Sequence, residues 1–203
     1  MIVATPLDLP IIKPDNWDTF WDIWNTHSAN LVKVLNNTTK NSRVGATNIW
    51  KGLDIFAKGT FKTAWNAPLV DISSSLPNLY NVCATLPIEN VCRVRLISSL
   101  ESFNSHTDDN IDKWSIRAYF HYTDVNDQWY FTNPNDAQGH RYYFHVPKET
   151  NWFAYNDKHC WHGTDFDPRH PKILLQIFSF GNNSALINNS IEKYKQYTID
   201  LND

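Results

Sequence analysis

His106-Thr107-Asp108 is where this sequence most plainly offers metal chemistry. In extended backbone, residues i and i+2 point the same way, so the triplet can present an imidazole and a carboxylate to one point. A third ligand from a distant strand would complete a facial set of two histidines and one carboxylate on Fe(II), with positions left open. A bidentate cosubstrate can take two of those positions and dioxygen the third. The bland alternative is a surface loop, because Asp109 and Asp112 follow closely.

The third ligand is sought in His159-Cys160-Trp161-His162-Gly163, just ahead of the apolar run from Lys172 to Phe180. His162 is the preferred ligand and His159 the runner-up. A zinc reading that joins His159, Cys160 and His162 lacks a second ligand pair at zinc-site spacing. Lys172 lies ten residues past His162 and opens that apolar run. An ammonium there needs an anionic partner. The far carboxylate of 2-oxoglutarate, held by a charge-assisted hydrogen bond, is such a partner. The bland reading puts Lys172 at the exposed start of a strand. Arg169, in a loop between Pro168 and Pro171, is the rival anchor.

These groups need a scaffold. Trp17, Phe20, Trp21, Trp24, Leu31, Val34 and Leu35 recur at spacings near three and four, which predicts a helix over 15–36 with Asp15 or Asn16 as N-cap. A strand is expected over 48–56, and a short helix over 69–76 ended by Pro77. From Val91 the pattern becomes β-like. Strands are expected over 91–99, 115–122, 129–132, 141–146, 151–155 and 172–180, and a closing helix over 187–197. The expectation is one mainly β, α+β domain: a helical support region over 1–85, a sandwich or jelly-roll core over 86–182, and a C-terminal segment over 183–203.

Composition narrows the function classes. With 203 residues, 42% of them hydrophobic, the chain can build one core without metals or disulfides. A net charge of −3 and a pI near 6.2 disfavour a nucleic-acid binder. Cys83, Cys92 and Cys160 are odd in number and irregularly spaced, which suits a reducing compartment. The first residues lack the pattern of a signal peptide, and no run is long enough to span a membrane. The expected location is cytoplasmic. The nine tryptophans are mostly packing residues, with a few available to line a cleft.

The stretch from Arg93 to Phe180 resembles the aspartyl/asparaginyl β-hydroxylase branch of the Fe(II)- and 2-oxoglutarate-dependent oxygenases. The likeness runs through Arg93-Val-Arg-Leu, His106-Thr-Asp108, Ser115-Ile-Arg117-Ala-Tyr-Phe-His121, Trp152-Phe-Ala-Tyr-Asn-Asp, and His162 with Lys172 ten residues on. It covers under half of the chain. The resemblance implies a double-stranded β-helix, a cupin-like jelly roll. It implies that His106, Asp108 and His162 hold Fe(II), that Lys172 anchors 2-oxoglutarate and that Arg117 lies beside it. The branch usually carries Arg where this chain has Lys172. The reaction implied uses O2 to hydroxylate a C–H bond of a peptide, protein or small-molecule substrate, releasing succinate and CO2. Two other classes fit the same residues: a cupin-like binding module without catalysis, and a metal-dependent cupin enzyme that does not use 2-oxoglutarate. No nucleic-acid or membrane partner is expected.

Overall fold

The computed structural model describes residues 1–34, 47–58, 67–99, 102–106, 114–121, 129–133, 139–156, 158–165 and 172–201. In chain order the elements are β1 (Ile2–Pro6), α1 (Trp17–His27), β2 (Ala29–Val34), β3 (Thr47–Ala57), α2 (Pro77–Thr85), β4 (Val91–Ser99) and β5 (Phe103–His106). Then come β6 (Trp114–His121), β7 (Trp129–Thr132), β8 (Tyr142–Tyr143), β9 (Trp152–Asn156), β10 (Trp161–Thr164), β11 (Ile173–Ser179), α3 (Ser184–Lys193) and β12 (Ile199–Asp200).

Among the described residues the strands named above all pair antiparallel, and a single parallel bridge joins Asp54 to Leu69. One sheet has eight strands in the order β12-β1-β9-β6-β11-β4-β3-β2, and the other has four in the order β5-β10-β7-β8. Strand alternation gives the large sheet two apolar faces. Leu53, Val94, Leu96, Ile116, Leu175 and Ile177 on one face pack with Phe20 and Trp24 of α1, Leu79 of α2 and Ile187 of α3. Ile97, Tyr119, Phe153, Tyr155 and Leu174 on the other face pack with Trp129 and Phe131 of the small sheet. The layers are therefore helices, large sheet, small sheet.

This corrects the expected architecture. Neither strand order returns to its starting strand, so among the described residues both sheets are open and neither closes into a barrel. The double-stranded β-helix, and with it the jelly-roll and cupin-like description, is not the observed fold. Nor is the region 1–85 a helical layer, since β1, β2 and β3 add three strands to the large sheet. Alternation reveals strands and their faces, but not which strand pairs with which.

Local chemistry explains the helix ends. Asn16 adopts extended backbone and its side chain accepts from the Thr19 N–H at 2.9 Å, an N-cap for α1. The adjacent Asp15 serves the other helix, its carboxylate accepting from the N–H groups of Asn78 and Leu79 at 3.0 Å each. Burial raises the Asp15 pKa, but the Leu79 and Asn78 N–H groups outweigh it and hold the carboxyl below its ordinary value. Pro77 opens α2 rather than ending a helix before it, because its missing N–H is one of the groups a first turn leaves unbonded. Helix α1 ends at His27, where the chain turns into β2.

Candidate functional site

The four-stranded sheet carries the distal histidine. Strand β10 pairs with β7, setting His162 opposite Phe131 and Thr164 opposite Trp129. On its other side β10 pairs with β5, and there His162 stands directly across from His106. The two histidines read as metal ligands thus occupy one register pair. Asp108 and Arg169 lie outside the described residues. His159 sits in the turn before β10, its backbone N–H donating to the Asn156 carbonyl at 3.1 Å.

His162 is 2% exposed and forms a triangle of rings with Trp129 and Tyr155, which are themselves 5.9 Å apart. Its imidazole stacks on Trp129, centroids 5.3 Å apart at 12°, and leans on Tyr155 at 4.8 Å. Lys172 and Arg117 come to the same place. The Lys172 ammonium lies 5.8 Å from the centre of the Trp129 ring, and the Arg117 guanidinium 5.5 Å from it. Both cations are buried, at 7% and 3% exposure. Three residues singled out in sequence, from β6, β10 and the start of β11, therefore converge on one indole.

Each cation is positioned by a hydroxyl. Lys172 donates to the Thr164 side chain, which in turn donates to the Asp165 carbonyl at 3.3 Å. Arg117 donates from Nε at 3.1 Å and Nη2 at 2.7 Å to the Tyr155 hydroxyl. The buried Trp129 Nε1–H has no hydrogen-bond acceptor among the described residues. A buried donor beside two cations suits an anionic ligand with acceptor oxygens. As donor types alone, the histidines and the aspartate singled out in the sequence are ones that Fe(II) accepts. Among the described residues there is no cluster of three metal-binding side chains, and Asp108 falls outside them.

Sequence reasoning missed Trp129, Tyr155 and Thr164. Trp129 is one of nine tryptophans and nothing local distinguishes it. Thr164 lies two residues past His162 on β10, a strand that Gly163 made hard to see. Tyr155 lies within the Trp152-Phe-Ala-Tyr stretch but had no assigned role.

The inner face of the large sheet continues the polar character. Gln176 pairs with Arg117 on one side and Arg95 on the other, and Arg95 pairs with Asp54. Asp54 is fully buried and accepts from Arg95 Nε at 2.6 Å and Nη2 at 3.2 Å, and from Arg93 Nη1 at 3.0 Å. Elsewhere, burial pushes the Cys83 thiol up to about 12, so it stays protonated near neutral pH and is no nucleophile. Among the described residues no helix is long and apolar enough to cross a membrane. No protein-family model matches the chain, and no curated protein matches it either.

Proposed function

We propose that the protein is an Fe(II)- and 2-oxoglutarate-dependent oxygenase that hydroxylates a C–H bond of a peptidyl residue or small molecule. The support is the site and not the architecture. The observation that carries the reading is the convergence of His162, Lys172 and Arg117 on Trp129, with His106 across the ladder from His162.

In this reading His106, Asp108 and His162 hold the metal. Lys172, steadied by Thr164, takes the C5 carboxylate of 2-oxoglutarate, and Arg117, steadied by Tyr155, lies beside the cosubstrate. The Trp129 indole N–H offers a further donor to an acceptor oxygen. Phe131, Phe144 and Phe153, each fully buried, wall the inter-sheet space with hydrocarbon and exclude water. Bound there, Fe(II) and 2-oxoglutarate supply oxidation of a C–H bond by O2, coupled to decarboxylation to succinate.

Anaerobic titration with Fe(II) and then 2-oxoglutarate tests this directly. A weak visible charge-transfer band is expected when both are present. Iron binding without the band points to a metal site that does not use 2-oxoglutarate. Binding of neither overturns the proposal and leaves a non-catalytic module.

A further inference from the structure

Strands β6 and β11 are neighbours in the large sheet, and a cavity opens where β6 begins, at Trp114, and β11 ends, at Ser179. The antiparallel register that sets Ile177 opposite Ile116 leads on to Ser179 beside Trp114. The cavity measures about 390 Å³, room for one small ligand. Trp114 and Ile187 of α3, which both line it, pack with the helix-side core, so it lies on the face of the sheet away from Trp129. Lys172 lies just before the other end of β11, a strand of 7 residues and so about 23 Å long. This cavity is therefore separate from the candidate metal site.

Its wall is built before any ligand arrives. Gly181 comes so close to Glu89 that a Cβ there would meet the Glu89 Cβ at 2.1 Å and its carbonyl oxygen at 2.6 Å, so a side chain would force the two segments apart. The Phe180 N–H donates to the Asn90 carbonyl at 3.2 Å, the Asn182 N–H to the Glu89 carboxylate at 3.0 Å, and the Glu89 N–H to the Asn183 side-chain oxygen at 2.9 Å. The Asn182 side-chain oxygen accepts from the Ser184 N–H at 3.1 Å and from its hydroxyl, and the Asn182 NH2 group takes no part in those bonds. Phe180, at 70%, is the most exposed large hydrophobic side chain among the described residues. With the half-buried Trp114 it gives the cavity two aromatic rings, and the rest of the lining is amide, hydroxyl and aliphatic, without a charged side chain.

That lining selects a ligand class. An anion is disfavoured although the cavity touches the start of α3: the Ser184 N–H is already taken, and the Glu89 carboxylate stands beside Asn182. The negative face of an aromatic ring packs against the slightly positive C–H groups of a sugar ring, and amides and hydroxyls donate and accept as sugar hydroxyls do. We infer that this cavity binds a neutral sugar ring, packed on Trp114 and Phe180 and hydrogen-bonded by Asn182, Ser179 and Ser184.

The inference does not rest on the oxygenase reading, and its test uses the full chain, labelled with 15N and without added metal. D-Glucose, D-galactose, D-mannose and N-acetyl-D-glucosamine are titrated in turn, with adenosine and inorganic phosphate beside them, and backbone and indole N–H shifts are followed by NMR. Trp114→Phe identifies the Trp114 indole signal. At least one sugar should shift that signal and the 179–184 amides saturably, and phosphate should shift neither. Phe180→Ala should weaken the binding by at least about fivefold, while Phe180→Tyr, which keeps a ring, should stay within about twofold of the parent. Thermal melting checks that both variants fold. Shifts by none of the four sugars, shifts confined to other parts of the protein, tighter binding of adenosine or phosphate, or unchanged affinity in a folded Phe180→Ala protein overturns the inference.

Discussion

Replacing Lys172 by methionine separates a ligand-binding lysine from a structural one. Methionine keeps an unbranched chain of similar length against Trp129 and discards the charge. If Lys172 holds the far carboxylate of 2-oxoglutarate, the variant loses one charge-assisted hydrogen bond in a buried place. Such bonds contribute about 1.5–3 kcal/mol. The bare Coulomb attraction at 4 Å, with an effective dielectric constant near 20, is about 4 kcal/mol and sets the upper end. Arg117 shares the Trp129 indole and retains a second positive charge, which argues for the lower part of the range. Affinity should therefore fall about 10- to 100-fold. Calorimetric titration of 2-oxoglutarate into the Mn(II)-substituted protein measures this without turnover. Ligand-free stability should change by less than the affinity does, because methionine keeps the packing against Trp129. Thermal melting checks that, at about 2–4 °C per kcal/mol for a chain of this size. Affinity within twofold of the parent, together with a melting point several degrees lower, would show that Lys172 serves the fold and would refute the assignment.

Three further outcomes are expected. Alanine at His106, Asp108 or His162 should abolish tight Fe(II) binding while His159→Ala retains it, as read from the metal content of the purified proteins; iron loss in the His159 variant alone would move the ligand. Tyr155→Phe removes the acceptor of two Arg117 hydrogen bonds, which should cost about 1–3 kcal/mol by thermal melting and weaken 2-oxoglutarate binding a few-fold. Asp15→Ala uncaps α2 and should cost about 1 kcal/mol near neutral pH. Because the folded-state pKa of Asp15 is lowered, the parent's advantage is full above the ordinary carboxylate pKa and disappears as pH falls through the folded value; melting curves for both proteins across acid pH would expose a pH-independent difference, contrary to this account.

What could be read in advance divides along physical lines. The start of α1 was legible because Asn16 caps it by a local hydrogen bond. Its end was not, since Leu31, Val34 and Leu35 continue the helical spacing while 29–34 form a strand that the large sheet selects. Pro77 was read with the wrong sense, since the same residue can stop one helix or begin another. Strand β7 was found at its observed bounds, whereas the expected strand over 141–146 shrinks to Tyr142–Tyr143. Partnership between strands is a long-range property, which is why the open two-sheet order replaced the expected architecture. In the site, Lys172 was conspicuous as a charge at the head of an apolar run, and His162 by its distance from it. The neighbours that position them, Thr164 and Tyr155, act through hydroxyls that occur at many surface and core positions.

The order of strands in the large sheet also bears on how the molecule assembles in time. Within the large sheet, among the described residues, only the β2–β3 and β3–β4 contacts join strands that are consecutive in the chain. At the far edge Ile2 pairs with Asp200, and β1 lies between β12 and β9. The ladder over β2, β3 and β4 joins neighbours in sequence, whereas β1 finds no partner in the sheet nearer in sequence than β9 (Trp152–Asn156). Loop-closure entropy is spent before those contacts return anything, so refolding is expected in the millisecond-to-second range, roughly, with the β12–β1–β9 edge protected last in pulsed hydrogen exchange. Until β9 is in place β1 lacks its inner neighbour, and a lone strand edge of that kind favours misassembly between chains.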